Sequence, residues 1–216
     1  MITVIDGLTG SGKTWLMTRL LLKARKAGET IYPNLTLLFP NDNEGVIRWH
    51  ALSETYDIHN GVIAIDEGQK LFDAHRWMFL PPMFAEKIAS HRHHLLDVIT
   101  TTQDFGHIDV RVRENVHERY HCQTVWRFPK RERYVPIIQI IRITRRIRSF
   151  DETANTIRWT SGRPQTKFIS KYWTRKLYDT HANIDLSHFI CQIKREKKKW
   201  LITLTSRQLS NQHSAK

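Results

Sequence analysis

The sequence predicts an α/β fold: a mostly parallel sheet flanked by helices, followed by an antiparallel, β-rich, basic C-terminal extension. Three observations predict it. A β-branched run, ITVID at 2–6, leads into GLTGSGKT at 7–14 and then into a stretch with apolar residues at helical spacing. Two more apolar runs, GVIAIDE at 61–67 and LDVITTTQ at 96–103, end in polar residues, as buried parallel strands do at a ligand-binding edge. Charge then divides the chain. Residues 1–116 carry 12 Lys and Arg against 14 Asp and Glu, a net of −2; residues 117–216 carry 22 against 7, a net of +15.

Taken in order, ITVID is short, β-branched and closed by glycine, hence a buried strand. Residues 14–26 (TWLMTRLLLKARK) read as helix, with basic residues in the last turns where the helix dipole favours them and Gly28 to end it. TIYPNLTLLF at 30–39 reads as a second strand in which Pro33 marks a bend or an edge. NDNEG at 41–45 is loop, and 46–60 carry no decisive pattern. GVIAIDE is the clearest buried strand. PPMFAEKIASHRHH at 81–94 reads as helix with Pro82 in its first turn, LDVITTTQ as strand, and HIDVRVRENV at 107–116 as a short helix. Beyond 117 the period becomes two. RYHCQTVWRF (119–128), YVPIIQIIRITRR (134–146) and ANTIRWT (154–160) alternate apolar with basic residues and predict antiparallel strands joined by charged turns such as PKRER. The expected division is a nucleotide-handling core at 1–116, a basic extension at 117–199 and a polar tail at 200–216.

With 40% hydrophobic and 10% aromatic residues among 216, a true core is expected and wholesale disorder is excluded. Cys122 and Cys191 are too few and too scattered for a disulfide framework or a metal-ligand spacing, which fits a reducing cytosol. No basic segment followed by an apolar one opens the chain, so no signal peptide is expected. No run approaches the ~18 apolar residues of a membrane-crossing helix; the longest apolar-rich run, VPIIQIIRI at 135–143, is short and interrupted. The basic half should attract a polyanion, either nucleic acid or an anionic membrane face.

The chemistry concentrates in a few stretches. Gly7, Leu8, Thr9, Gly10, Ser11, Gly12, Lys13 and Thr14 match G-x-x-x-x-G-K-[ST] between a strand and a helix. Glycines there let backbone N–H groups turn inward around phosphate oxygens, Lys13 reaches the β and γ phosphates of ATP, and the Thr14 hydroxyl holds Mg²⁺. Asp66 ends a strand expected beside the first and would hold Mg²⁺ through its water shell, leaving Glu67 to polarise an attacking water. Gln103, at the tip of another strand, is either a γ-phosphate sensor or an ordinary polar strand end. Arg92 is a candidate arginine finger acting across a subunit interface, with Arg111 and Arg113 as rivals; a surface or salt-bridge role is the commoner fate of each. His91, His93 and His94 lack the distant second pair of ligands a zinc site needs. Trp15 either packs under the helix or borders the nucleotide base.

Together these stretches resemble the Zot family, the zonula occludens toxin-like proteins whose phage members are assembly proteins. The resemblance rests on GLTGSGKT, VIAIDEGQ, SHRHHLLD followed by a strand ending in TQD, the HID-R-RE-V stretch, and FISKYWTRKLYDTHA at 168–182. It implies a P-loop NTPase of FtsK/HerA-like type that hydrolyses ATP to power filamentous phage secretion and extrusion of single-stranded DNA. It implies Lys13 and Thr14 on phosphate and Mg²⁺, Asp66 and Glu67 as the acidic pair, and Gln103 as sensor. The implied setting is the host cytoplasm at the inner-membrane face. Two departures stand out. The family often has glycine where this chain has Leu95, and its members usually continue into a transmembrane helix and a periplasmic domain. Here the strand at residue 2 leaves nothing expected before the site, and the chain ends in KREKKKWLITLTSRQ and a polar tail. A truncated gene, a separate second half, or docking on membrane-bound partners each fits.

The leading expectation is therefore an ATP-hydrolysing, ring-forming motor that works with phage coat and export proteins. Single-stranded DNA would meet the basic half through charge and stacking on Trp126, Phe128, Tyr134, Trp159, Tyr172 and Trp173; most of these aromatics are equally suited to packing the strands. The cluster at 194–200 could rest on anionic lipid or form a solvated turn. A second reading is an ATP-dependent assembly scaffold with little turnover. A small-molecule kinase is weaker, because no acceptor lid is readable.

Overall fold

Strand β1 (Ile2–Asp6) is buried along its whole length, because it has hydrogen-bonded neighbours on both edges and packed side chains on both faces. In this computed structural model the described residues are 1–37, 45–72, 74, 82–128, 137–151 and 156–170. The chain divides into two units, Met1–Asp179 and Thr180–Lys216, and all described residues lie in the first. Expectations for Tyr134, Tyr172, Trp173, Cys191, the 194–200 cluster and the tail fall outside the described residues.

After β1 come α1 (Lys13–Lys26), β2 (Ile31–Pro33), β3 (Gly61–Ile65), α2 (Pro82–Ala89), β4 (Leu96–Thr102), α3 (Val110–Arg113), β5 (Glu118–Phe128), β6 (Ile138–Asp151), β7 (Thr156–Ser161) and β8 (Gln165–Ser170). They build one mixed sheet of order β2-β3-β4-β1-β5-β6-β7, with β8 also on β6. The pairs β2–β3, β3–β4, β4–β1 and β1–β5 are parallel, and β5–β6, β6–β7 and β6–β8 are antiparallel. Strand β5, the first of the basic half, runs beside β1 (Ile5↔Tyr120, Asp6↔His121), so both halves of the chain share this sheet.

Alternation along the central strands sorts two cores. Ile2, Val4, Ile63, Ile65 and Val98 meet Phe84, Ile88 and Val112 of α2 and α3. Ile5, Val62, Ala64 and Ile99 meet Leu16, Met17 and Leu21 of α1, and Ile141, Ile143 and Ile169 of β6 and β8 join that side. The mostly parallel sheet flanked by helices, with antiparallel strands after it, is the architecture the sequence predicts.

Local differences have local causes. Strand β2 covers only part of 30–39; it is an edge strand, where Pro33 costs no ladder bond. Helix α3 spans four residues of the expected 107–116, started by Asp109, whose carboxylate accepts from the Arg111 N–H. Strand β8 lies in a segment to which the residue pattern assigned no strand. Helix α2 stops at Ala89 instead of running through the histidines. The turn after it closes with Leu95 N–H donating to the Arg92 carbonyl (3.1 Å) and Leu96 N–H to the His91 carbonyl (2.9 Å). That is the pairing of a helix stop with a left-handed residue, usually glycine. Here it is Leu95, at φ +53° and 72% exposed.

An exposed leucine in the left-handed region carries a backbone cost of roughly 1–2 kcal/mol with little burial to offset it. Leu95→Gly should therefore raise stability by about 1 kcal/mol net of glycine's chain entropy, seen as a melting temperature about 2–4 °C higher. A lower melting temperature would show that the leucine side chain contributes more than its backbone costs.

Candidate functional site

The cradle begins where β1 ends. Gly7 has φ +146°, and a Cβ there would lie 2.2 Å from the Cys122 carbonyl oxygen of β5, so no side chain fits. Gly12 caps α1 at φ +88°, with Ile141 and Ile169 beneath it at 3.1 Å from where a Cβ would be. The Gln139 amide of β6 donates to the Gly10 carbonyl (2.5 Å) and to Thr124 (2.8 Å), bracing the loop from the β5–β6 side. Buried Ser11 leaves its Oγ without a partner, and Leu8 is 80% exposed at the rim. Lys13 Nζ folds back to donate to the carbonyls of Gly7 (2.8 Å) and Leu8 (3.0 Å). Burial holds its ammonium below the ordinary lysine value, against the pull of the Asp66 carboxylate. The loop thus has its Gly7, Leu8 and Gly10 carbonyls occupied and presents an orphan hydroxyl, a lysine and a helix N-terminus, groups of a kind that suit anionic oxygen.

Asp66 approaches from β3. The Asn34 amide clamps its backbone, accepting from the Asp66 N–H (2.8 Å) and donating to its carbonyl (3.1 Å). The Asp66 carboxylate accepts from Thr101 (2.5 Å) and, at 3.3 Å to each oxygen, from Thr14. Glu67 follows at φ +56°, its N–H donating to Thr101 Oγ1 (2.9 Å) and its carboxylate paired with Lys70. Among the described residues no three His, Cys, Asp or Glu side chains form a metal group. Thr14 and Asp66 nonetheless supply a hydroxyl and a carboxylate side by side, the oxygen donors Mg²⁺ takes when phosphate and water complete its shell.

Lys13, Thr14 and Asp66 are thus brought together. Gln103 is exposed just past Thr102, which is in register with Asp6, so it lies at the same end of the sheet. Arg92 does not join them. Its guanidinium lies 2.6 Å from the His117 ring, whose other nitrogen faces the Ile2 N–H, at the start of β1. At about 3.3 Å per residue, the five-residue strand puts Arg92 and the cradle at opposite ends of this sheet. Arg111 is held by Asp109. Trp15 is half-buried against the α1-side core, with Arg19 5.8 Å from its ring centroid.

Sequence reasoning missed the residues that hold the cradle's strand. Asp6, 2% exposed, accepts from Arg119 Nε (2.7 Å) and a second Arg119 nitrogen (3.1 Å), and contacts the His121 ring at 2.7 Å. Burial alone would raise the Asp6 carboxyl, but the hydrogen bonds from Arg119 and His121 outweigh it and hold it below the ordinary value. Cys122 beside them is inert, its thiol pushed up to about 12 by burial. Asn34, Thr101, Gln139 and Lys70 were also missed. A run of three threonines ending β4 was the available sign of Thr101, and the Arg-x-His spacing at 119–121 the sign of Asp6's partners.

Residues 37–134 match the model of the family described as Zonular occludens toxin (Zot), a span holding Asp66, Glu67, Arg92 and Gln103. The crystal structure of the N-terminal domain of zonular occludens toxin from Neisseria meningitidis shares this fold, with a TM-score of 0.51 and 18% identity over 82% of this chain and 98% of that one. Over residues 37–134 the chain is similar to the Zot family. The genome packaging NTPase B204 from Sulfolobus turreted icosahedral virus 2, in complex with AMP, aligns with a TM-score of 0.45 and 15% identity over 73% of this chain and 95% of its own. No curated protein compared matches the chain. No helix among the described residues is long and apolar enough to cross a membrane.

Because Asp6 titrates below its unfolded value near 3.8, its stabilisation is complete above that value and drains as pH falls through the folded one. Asp6→Asn should lower stability at pH 7 by roughly 3 kcal/mol, leaving Arg119 without its buried partner. The same variant should flatten the loss of stability between pH 4 and pH 2 in urea unfolding. An unchanged acid slope would mean that other carboxylates govern it.

Proposed function

We propose that this chain is a nucleoside-triphosphatase of phage assembly, binding ATP at residues 7–14 and hydrolysing it with Mg²⁺. The observation that carries the reading is the meeting of Thr14 and Asp66 beside a glycine loop whose free groups suit phosphate. Lys13 binds β and γ phosphates; Thr14 and Asp66 hold Mg²⁺, which when bound neutralises charge on the transferred phosphoryl group. Glu67 leaves Lys70 to orient and deprotonate the attacking water, and Gln103 senses the γ-phosphate. Arg92, remote from its own cradle, acts as a finger only on a neighbour in a ring. The resemblance to the Zot family supports the finer reading: a motor for filamentous phage export at the cytoplasmic face of the host inner membrane. It works there with coat and export proteins and extrudes single-stranded DNA. The Glu67–Lys70 pair favours a second reading, an ATP-dependent assembly scaffold in which the base stays tethered and turnover is low.

Steady-state ATP turnover, with and without single-stranded DNA, separates the two. Glu67→Gln should lower turnover at least about 100-fold, the scale of general-base catalysis, with ATP affinity nearly unchanged. Lys13→Ala should abolish ATP binding. Tight ATP binding without turnover in the native chain would remove the motor and leave the scaffold.

A further inference from the structure

Beside the cradle lies a cavity of about 680 Å³, within the range of about 300–1,000 Å³ usual for small-molecule sites. The α1 residues Trp15 and Arg19 form one wall, and Ile169 and Lys167 of β8 face it, with Tyr120 and Arg163 also at the lining. Two connections tie it to the phosphate loop. Trp15 directly follows Thr14, and Ile169 both lines the cavity and lies under Gly12.

The sheet order decides which end of a nucleotide reaches it. Asp66 and Thr101 belong to β3 and β4, on one side of β1. Terminal phosphates and Mg²⁺ held by Thr14 and Asp66 would face that side, which turns the rest of the nucleotide toward β5, β6 and β8, where the cavity lies. Its chemistry suits a flat heterocycle. The indole of Trp15 and the guanidinium of Arg19 lie 5.8 Å apart, a planar aromatic and a planar cation on one wall, and both stack on bases. Among the described residues no carboxylate lines the cavity, while Arg19, Arg163 and Lys167 offer donors; purine ring nitrogens such as N7 are acceptors.

Resting on the nucleotide reading above, we propose that this cavity is the base pocket of the site. It takes the purine ring and ribose of ATP, with Trp15 as the stacking residue. The basic lining would also suit a strand of nucleic acid, but continuity with the loop through Trp15 and Ile169 favours the base of the bound nucleotide.

Calorimetric titration of the full chain with ATP and with inorganic tripolyphosphate, each with Mg²⁺, tests this in the native protein, Trp15→Ala and Trp15→Phe. Trp15→Ala should weaken ATP about tenfold while tripolyphosphate stays within twofold, which also shows that the variant keeps a folded cradle. Trp15→Phe should recover most of the ATP affinity. If ATP affinity is unchanged in Trp15→Ala, or both ligands weaken equally, the base pocket is refuted while the phosphate cradle stands. If Trp15→Ala weakens a single-stranded oligonucleotide and spares ATP, the cavity is a nucleic-acid site and the proposal falls. If the native chain binds neither ATP nor tripolyphosphate, the nucleotide reading fails and the base pocket falls with it.

Discussion

Asp6 is the constraint on which the rest of the structure depends. A carboxylate at 2% exposure needs partners, because an unpaired buried charge is among the costliest features a fold can carry. Its partners are Arg119 and His121 of β5, more than a hundred positions along the chain. Satisfying the charge therefore sets β5 against β1 in one register. That places the Cys122 carbonyl where only glycine can follow Asp6. The bend that opens the phosphate loop is thus enforced by the strand beside it as well as permitted by the loop's own glycines.

The basic half is consequently part of the site's frame. Gln139 of β6 ties down Gly10, and Ile141 and Ile169 floor Gly12. Along one edge of β6, β7 takes its later residues and β8 its earlier ones. Since β8 supplies the Ile169 and Lys167 wall, the arrangement that braces the loop also builds the cavity beside it. Removing the extension would unpair Asp6 and unfloor the loop together.

How much of this was legible follows from how local each signal is. GLTGSGKT between ITVID and a helical repeat, and Asp66-Glu67 at the end of GVIAI, are short-range patterns whose chemistry reads directly from neighbours in sequence. Asp66 meets Thr14 as expected, although its strand β3 is not beside β1 as the sequence suggested, because β4 lies between them. The partners of Asp6, the Asn34 clamp and the Gln139 brace were illegible because each depends on strand register between distant segments. Strand β8 was missed because QTKFIS is short, polar at its start and exposed over most of its length, so no period marks it. Arg92 illustrates a different limit. Its neighbours in sequence marked it as special, but only the topology shows that it lies at the far end of β1 from its own cradle.

Two side chains define the resting site. Lys13 is bound to two neutral carbonyls, and burial disfavours its charge. Phosphate oxygens would replace those dipoles with full negative charges at the same short range, so the exchange favours nucleotide and frees the Gly7 and Leu8 carbonyls at the rim. Glu67 is bound to Lys70, with both side chains at least half exposed. Exposed pairs of this kind are typically worth no more than about 1 kcal/mol, whereas a positioned base contributes typically 10²–10⁴-fold, about 3–5 kcal/mol, to a rate. The tether is therefore weak beside the chemistry it would restrain. With Glu67 as the base proposed above, releasing the tether would cost far less than the barrier lowering it permits.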